Sequence, residues 1–208
     1  GEPEAALTFL EKAYRGAPQL SSMLAYSAYE AKYGQFATAK NTLREWLVRN
    51  PEDIAARMAL AELQAKGGEA EQAEALVEYK EILELESDNL VALNNLAWHL
   101  RESDPAEALE YARRAGELAP DSADVLDTLA VVEYFNVDYP RARRAADRAL
   151  RLNPDNATMR YHRAMIDAAL GDSKNAIETL EELLGNGASS TVFAEREEAE
   201  QLLSELKR

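Results

Sequence analysis

The sequence contains no cysteine and little glycine or proline, with 9 glycines and 7 prolines in 208 residues. The lack of cysteine excludes disulfides, thiolate metal sites and a cysteine nucleophile. No apolar run approaches the roughly 18 residues of a membrane-spanning helix, so we expect no membrane span in these residues. Because helix breakers are few and alanine, leucine and glutamate are abundant, the composition favours an all-α protein.

Basic residues are also scarce, since 23 lysines and arginines stand against 38 aspartates and glutamates and leave a net charge of -15. Phosphate binding relies on clustered lysine and arginine, so we expect no nucleic-acid partner. The two histidines, His99 and His162, belong to no zinc-protease motif, and neither a phosphate-binding glycine loop nor a nucleophile elbow is present. We therefore expect a non-catalytic protein with no catalytic residue, no cofactor and no metal.

The stretch from Asp121 to Pro154 has the clearest internal pattern. Its small and apolar residues form two stripes at helical spacing, separated by a break: Leu126, Leu129, Ala130 and Val132, then Ala142, Ala146, Ala149 and Leu150. This pattern predicts two amphipathic helices joined by a tight turn. Pro154 follows the closing Pro120 of the preceding stretch by 34 residues, which indicates a repeat. A helix pair of this size needs to stack on copies of itself to bury a core.

This unit resembles the tetratricopeptide repeat, whose period is about 34 residues. Four residues stand at the small or closing positions of that family: Ala130, Ala142, Ala149 and Pro154. Leu126 replaces the usual tryptophan, and Val137 replaces the usual glycine of the turn. The resemblance implies an all-α fold, a right-handed α-solenoid of helix-turn-helix repeats with a C-terminal capping helix.

The repeat positions predict a single array over residues 1–208. It would consist of a half repeat, five whole repeats and a capping helix: 2–18, then about 19–51, 52–87, 88–120, 121–154 and 155–187, and finally about 192–207. The half repeat matches the second helix of a pair whose first helix is missing. In the capping helix, Phe193 and Leu203 share the side that covers the last repeat, and Glu195 and Glu198 are expected on the side that meets water.

In the tetratricopeptide family, the first helix of each repeat lines a concave groove. Carried over to this chain, the groove positions predict a partner-binding surface made of Asn94, Asn95, Trp98, Arg101, Asp124, Asp127, Tyr134, Tyr161 and His162, and Thr128 and Met165 occupy equivalent positions. Aromatic rings beside amides and carboxylates suit a protein or peptide segment, or a polysaccharide. In the alternative interpretation, Trp98 and Tyr161 only pack between neighbouring helices.

Arg163 and a row of four other arginines are candidates for binding an anion. Arg163 replaces an apolar residue at a contact between helices, and we expect Asp127 or Asp167 to neutralise it rather than an anionic ligand. Four arginines recur at helical spacing in the second helix of the fourth repeat: Arg141, Arg144, Arg148 and Arg151. A solvated face paired with neighbouring carboxylates is favoured here over a ridge for an acidic partner.

A narrower resemblance concerns two segments, Asn94 to Ala130 and Phe193 to Arg208. Both are similar to the C-terminal repeats of bacterial tetratricopeptide proteins of exopolysaccharide production and PEP-CTERM sorting systems. The resemblance implies a scaffold for protein–protein interaction in exopolysaccharide or surface-protein export, periplasmic or envelope-associated, although these residues do not identify the compartment. The alternatives are a groove that binds polysaccharide directly and an array that is the targeting arm of a larger enzyme.

Overall fold

The computed structural model describes residues 2–185 and 193–208, and within these ranges the chain forms twelve α-helices and no strand. The helices are α1 (Glu2–Gly16), α2 (Leu20–Lys32), α3 (Phe36–Arg49), α4 (Ile54–Ala65), α5 (Glu69–Leu85), α6 (Leu90–Leu100), α7 (Pro105–Leu118), α8 (Ala123–Phe135), α9 (Tyr139–Leu152), α10 (Ala157–Ala169), α11 (Ser173–Gly185) and α12 (Arg196–Leu206). The all-α prediction is therefore confirmed. The chain divides into two compact units, unit 1 with residues 1–92 and unit 2 with residues 93–208.

The helices begin and end close to the repeat boundaries, prolines and glycines of the sequence. Each of the five predicted whole repeats contains two of the helices, and the predicted break after Asn136 separates α8 from α9. Pro105 is the first residue of α7, where its fixed φ angle is favourable and its missing N–H is not needed. α11 ends at Gly185, close to the predicted end of the fifth repeat, whereas the predicted start of the capping helix at about 192 lies outside the described residues.

Six of the described helices begin with a short polar side chain that caps a free backbone N–H. Asp104 accepts a hydrogen bond from the N–H of Glu107 at 3.0 Å, and Asn156 accepts one from the N–H of Met159 at 3.0 Å. The first N–H groups of a helix have no partner inside the helix, so each cap replaces a hydrogen bond to water and fixes the start of the helix.

In unit 2, buried alanines let the two helices of a repeat pack closely against each other. Ala130 on α8 and Ala142 on α9 are both 0% exposed, and they belong to one core cluster with Ala146 and Ile166 of α10. A side chain that consists of a single methyl group lets two helix backbones approach closely, whereas added methylene groups in such a contact would force strain of about 1–3 kcal/mol. These alanines therefore determine where the helices of one repeat meet.

Unit 1 has its own core around α2, α3 and α4. Met23, Leu43 and Leu60 are almost completely buried there, and α2 lies against α4 of the following repeat. Trp46 belongs to this cluster, and its indole N–H donates to Asp53 Oδ2 at 2.8 Å. The first helices of consecutive repeats are thus neighbours in unit 1.

The same relation between first helices holds in unit 2 and extends to the terminal helix. α8 lies against α10, and α10 lies against α12. α12 also packs on α11, so it contacts the last repeat as the first helix of a further repeat would. Phe193 and Ala199 are buried with Tyr161 of α10 in one cluster. The helix therefore covers the last pair, as expected of a terminal cap.

Three turns between paired helices use a residue with positive φ. Gly34 and Gly171 have φ values of 79° and 81°, and Val137 has a φ of 62° at the corresponding position. In each turn the next residue donates its N–H to a carbonyl five residues earlier, for example Asp138 to Glu133 at 3.0 Å. Glycine adopts this conformation without cost, but a β-branched side chain collides with its own backbone. The turn at Val137 is therefore strained, and its side chain, which is 68% exposed, gains little by burial.

We predict that Val137→Gly stabilises the protein. The substitution relieves the left-handed strain, about 1–2 kcal/mol, and loses part of this gain to the greater freedom of glycine in the unfolded chain, so the net increase in the free energy of unfolding should be about 1 kcal/mol. Urea denaturation measures it.

Gly171→Val is the matched control at the equivalent turn. A Cβ atom at Gly171 would meet nothing within 4 Å, so the expected loss of stability is due to backbone strain alone. A destabilised Val137→Gly variant together with an unaffected Gly171→Val variant would contradict this account of the turns.

Candidate functional site

The candidate site is a cavity of about 270 Å³ in unit 2. Its walls come from the first helices α6, α8 and α10 and from the start of α12. The lining residues are Trp98, Arg101, Glu102, Val131, Phe135, Tyr161, His162, Met165, Glu195 and Glu198. We call this the aromatic cavity, because three rings from three helices face it together with three carboxylates.

Arg101 forms the side of the aromatic cavity next to α6. Its guanidinium carbon lies 4.1 Å from the ring centroid of Trp98 and 6.0 Å from that of Phe135, which are cation–π distances. Its Nη1 donates to the carbonyl of Trp98 at 2.6 Å, and its Nη2 lies 2.9 Å from Glu102 Oε1. Burial lowers the pKa of Arg101, and the charges of Glu102 and Glu195 oppose this shift. The guanidinium is therefore held within the protein by a ring, a carbonyl and a carboxylate.

His162 and Asp127 form a buried pair beneath the aromatic cavity. His162 Nδ1 lies 3.0 Å from Asp127 Oδ1 and 2.9 Å from Oδ2, and the two residues are 3% and 7% exposed. The carboxylate fixes the orientation of the imidazole ring, which also lies 5.9 Å from the ring of Trp98 and 5.7 Å from that of Tyr161. Nδ1 of the ring is therefore occupied by Asp127.

Tyr161 joins α10 to the terminal helix at the opposite side of the cavity. Its ring lies 6.3 Å from that of Phe193, and the residue is 8% exposed. Burial raises the pKa of Tyr161 to about 12, with smaller contributions from the charges of Glu198 and Glu195. Glu195 accepts a hydrogen bond from Thr158 Oγ1 at 3.0 Å, which anchors the start of α12 to α10. Tyr161 therefore remains protonated at neutral pH.

The structure brings together part of the predicted surface. Four of the nine predicted residues line the aromatic cavity: Trp98, Arg101, Tyr161 and His162. Asp127 lies behind the wall as the partner of His162. Asp124 is exposed and does not line the cavity, and Asn94 and Asn95 are half-buried outside it. Met165, which occupies an equivalent repeat position, does line it.

Tyr134 is not one of the residues that line the aromatic cavity. Its ring is 5.5 Å from that of Tyr139 at the turn between α8 and α9, and its side chain packs against the cluster that contains Ala142 and Ile166. The ring thus covers a helix contact, and it does not share a surface with Trp98 and Arg101.

Five lining residues are absent from the predicted set: Glu102, Val131 and Phe135 from the repeats, and Glu195 and Glu198 from the start of the terminal segment. Val131 and Phe135 occupy the ninth and thirteenth positions of their repeat, which are groove positions, so the repeat register alone could have found them. Glu195 and Glu198 were expected to face water on the capping helix. No repeat position describes that helix, because its relation to α10 arises only in the folded chain.

Three of the arginines considered above for anion binding have partners within the protein, and two are exposed without one in the described residues. Arg163 forms an ion pair with Asp167, as expected, and its Nε donates to Asp147 Oδ1 at 2.7 Å. On α9, Arg148 donates to the carbonyl of Pro120 at 2.7 Å, and Arg141 lies 3.4 Å from Asp138. Arg144 and Arg151 are exposed and make no ion pair or hydrogen bond within residues 2–185 and 193–208.

A larger cavity, of about 610 Å³, lies in unit 1. It contains two of the rings of the unit 1 core, Tyr14 and Tyr26, whose centroids are 6.0 Å apart. The rest of its wall is polar and includes Arg15, Glu45 and Arg49, and none of the predicted surface residues lies there. The aromatic cavity therefore agrees better with the repeat register than the larger space does.

Two other kinds of site are absent from the described part of the chain. No group of three or more histidine, aspartate or glutamate residues there could hold a metal ion. Among the helices of residues 2–185 and 193–208, none is long and apolar enough to cross a membrane.

Comparison with known families agrees with the repeat register. A family model described as tetratricopeptide repeat matches residues 30–78, and a second model with the same description matches residues 128–191. The chain is a tetratricopeptide repeat protein. The second match includes Val131, Phe135, Tyr161 and His162, so these lining residues of the aromatic cavity belong to tetratricopeptide repeats. A comparison with curated proteins found no match.

Solved structures with a similar fold include other tetratricopeptide proteins. MamA (41-end) from Desulfovibrio magneticus RS-1 matches with a TM-score of 0.72 and 16% identity, over 85% of this chain and 99% of that one. A tetratricopeptide repeat protein from Parabacteroides merdae ATCC 43184 matches with a TM-score of 0.65 and 14% identity, over 100% and 93% of the two chains. TTC0263, a thermophilic protein from Thermus thermophilus, matches with a TM-score of 0.66 and 17% identity, over 90% and 98%. These likenesses confirm the tetratricopeptide solenoid fold.

We predict that the buried pair of Asp127 and His162 is thermodynamically coupled. Asp127→Leu leaves a buried ring nitrogen without its partner and should lower the free energy of unfolding by about 1–3 kcal/mol. Adding His162→Phe removes the unpaired nitrogen, so the double variant should be more stable than the sum of the two single changes implies. Urea denaturation of the four proteins measures the coupling energy.

Asp124→Leu is the control, because Asp124 is exposed on the same helix and its loss should change stability by no more than about 0.5 kcal/mol. Additive effects of the Asp127 and His162 changes would show that the pair contributes no coupling.

Proposed function

We propose that this tetratricopeptide repeat protein is a non-catalytic scaffold whose aromatic cavity binds a segment of a partner protein. The observation that carries the proposal is the convergence of Trp98, Phe135 and Tyr161 from three consecutive first helices on one cavity. Aromatic side chains contribute large contact area with little loss of conformational entropy, and anchor sites in protein interfaces are enriched in them.

The size of the cavity favours the side chains of a segment over a whole small molecule. Pockets for drug-sized ligands occupy about 300–1,000 Å³, and the aromatic cavity has about 270 Å³. Its aromatic rings come from the first helices α6, α8 and α10, so an extended segment could place one or two side chains in it and continue along these helices.

Direct binding of polysaccharide is supported less well by the same contacts. Sugar rings stack on an open aromatic face, and the guanidinium of Arg101 already lies over Trp98 at 4.1 Å. The indole is therefore the packed wall of a cavity rather than a free platform. Polysaccharide remains the competing ligand class in the experiment below.

The pathway of this scaffold is a further part of the proposal. The segments Asn94 to Ala130 and Phe193 to Arg208 resemble bacterial tetratricopeptide proteins of exopolysaccharide and PEP-CTERM systems, and both contribute residues to the aromatic cavity. This resemblance supports a role in exopolysaccharide or surface-protein export, with the partner segment belonging to another component of that assembly.

Selection from a phage-displayed library of random peptides tests the proposal. We expect peptides that bind the wild-type protein and lose at least about tenfold in affinity with Trp98→Ala, since truncating a central aromatic anchor commonly costs more than about 1–2 kcal/mol. Met165→Trp, which fills the cavity without truncating a wall, should have the same effect. Circular dichroism verifies that both variants are folded.

Phe9→Ala is the control, because Phe9 is a 72% exposed ring in unit 1, and it should leave binding unchanged. The proposal fails if no peptide is recovered, if recovered peptides bind Trp98→Ala as well as wild type, or if oligosaccharides bind in a Trp98-dependent way while peptides do not.

A further inference from the structure

We infer that the side chain received by the aromatic cavity is basic, a lysine or arginine of the partner segment, held between Tyr161 and the carboxylates of Glu195 and Glu198. This inference rests on the proposed function and names the chemistry of the partner.

The side chains that line the cavity carry a net negative charge. Three carboxylates line it, those of Glu102, Glu195 and Glu198, against the single guanidinium of Arg101. Glu102 is matched with Arg101 at 2.9 Å. His162 does not reverse the balance, because its ring is paired with the buried carboxylate of Asp127. Glu195 and Glu198 therefore form no ion pair within the described wall, although the charge of Glu195 acts on Arg101.

Two other acidic residues near the terminal helix have a cationic partner, which Glu195 and Glu198 lack among the residues that the structure describes. Glu200 pairs with Arg196 at 3.0 Å, and Glu181 of α11 pairs with Lys207 at 2.6 Å. Neither Glu195 nor Glu198 has a cationic partner in the described portion of the sequence. The basic side chains nearest to them along α12 are thus directed to other carboxylates.

The carboxylates of Glu195 and Glu198 both line the cavity, and both act on the same ring. They are separated by three positions at the start of α12, so they share a face of the helix. Both charges contribute to the raised pKa of Tyr161, whose ring forms the neighbouring wall. An aromatic face beside two carboxylates suits a long basic side chain, because the ring packs on its aliphatic stem and the carboxylates meet its charged end.

An acidic partner segment fits the cavity poorly. The only guanidinium among the described residues of the wall, that of Arg101, is already held by the ring and carbonyl of Trp98 and by Glu102. A carboxylate that reached Arg101 would also approach Glu195, whose charge already acts on Arg101. The net charge of -15 also favours a basic partner over an acidic one, because it acts at long range to attract basic segments and repel acidic ones.

The test combines peptide selection with charge-neutral variants of the cavity. Glu195→Gln keeps an oxygen that can accept the hydrogen bond of Thr158, so the double variant with Glu198→Gln removes charge while preserving that contact. Glu197→Gln is the matched control, because Glu197 is exposed on the same helix and does not line the cavity. The probes are the selected peptides and derivatives in which each lysine or arginine is replaced by methionine.

We expect lysine or arginine to be enriched at one position of the Trp98-dependent peptides. The double variant should weaken their binding by about tenfold or more, as for a charge pair in an interface, whereas Glu197→Gln should change it less than about twofold. Replacing the enriched basic residue should weaken binding to the wild-type protein by a similar factor and should have little further effect on the double variant.

Three outcomes would overturn the inference. If the Trp98-dependent peptides lack basic residues, or if the double variant binds them as tightly as wild type does, the charge preference is wrong and the peptide-binding function stands. If selection gives no Trp98-dependent peptide, the proposed function fails and this inference fails with it.

Discussion

The close approach of paired helices at buried alanines is the constraint on which the rest of the structure depends. Ala130 and Ala142 are fully buried where α8 meets α9, and this contact fixes how the two helices of one repeat pack together. Because the pairs stack with their first helices adjacent, side chains from α6, α8 and α10 converge on one surface of unit 2. The aromatic cavity thus results from packing between residues that do not line it.

The segment that contains the terminal helix stabilises the last repeat and also lines the aromatic cavity. Phe193 and Ala199 cover the apolar side of the last repeat, which would otherwise meet water. The first turn of α12 also places Glu195 and Glu198 at the aromatic cavity and so gives its wall most of its charge. The two roles are compatible because different side chains serve them: Phe193 and Ala199 are buried, whereas Glu195 is half-buried and Glu198 is exposed.

The repeat register predicted the helices well, since alanine contacts, capping residues and closing prolines are local signals. It predicted the cavity only in part. Tyr134 occupies a groove position, but Tyr139 at the neighbouring turn and the cluster around Ile166 give its ring an apolar contact elsewhere. The contribution of Glu195 and Glu198 depends on how α12 docks against α10, a contact between distant segments that no local pattern encodes.

The two tryptophans allow a direct measurement, because each unit contains one. Trp46 is buried in unit 1 with its indole N–H bonded to Asp53, and Trp98 forms a wall of the aromatic cavity. The ¹H–¹⁵N NMR signals of the two indole groups should be followed while a selected lysine-containing peptide is added. The account predicts a saturable shift of the Trp98 signal with the Trp46 signal unchanged. A shift of Trp46 alone, or binding that leaves both signals in place, would contradict it.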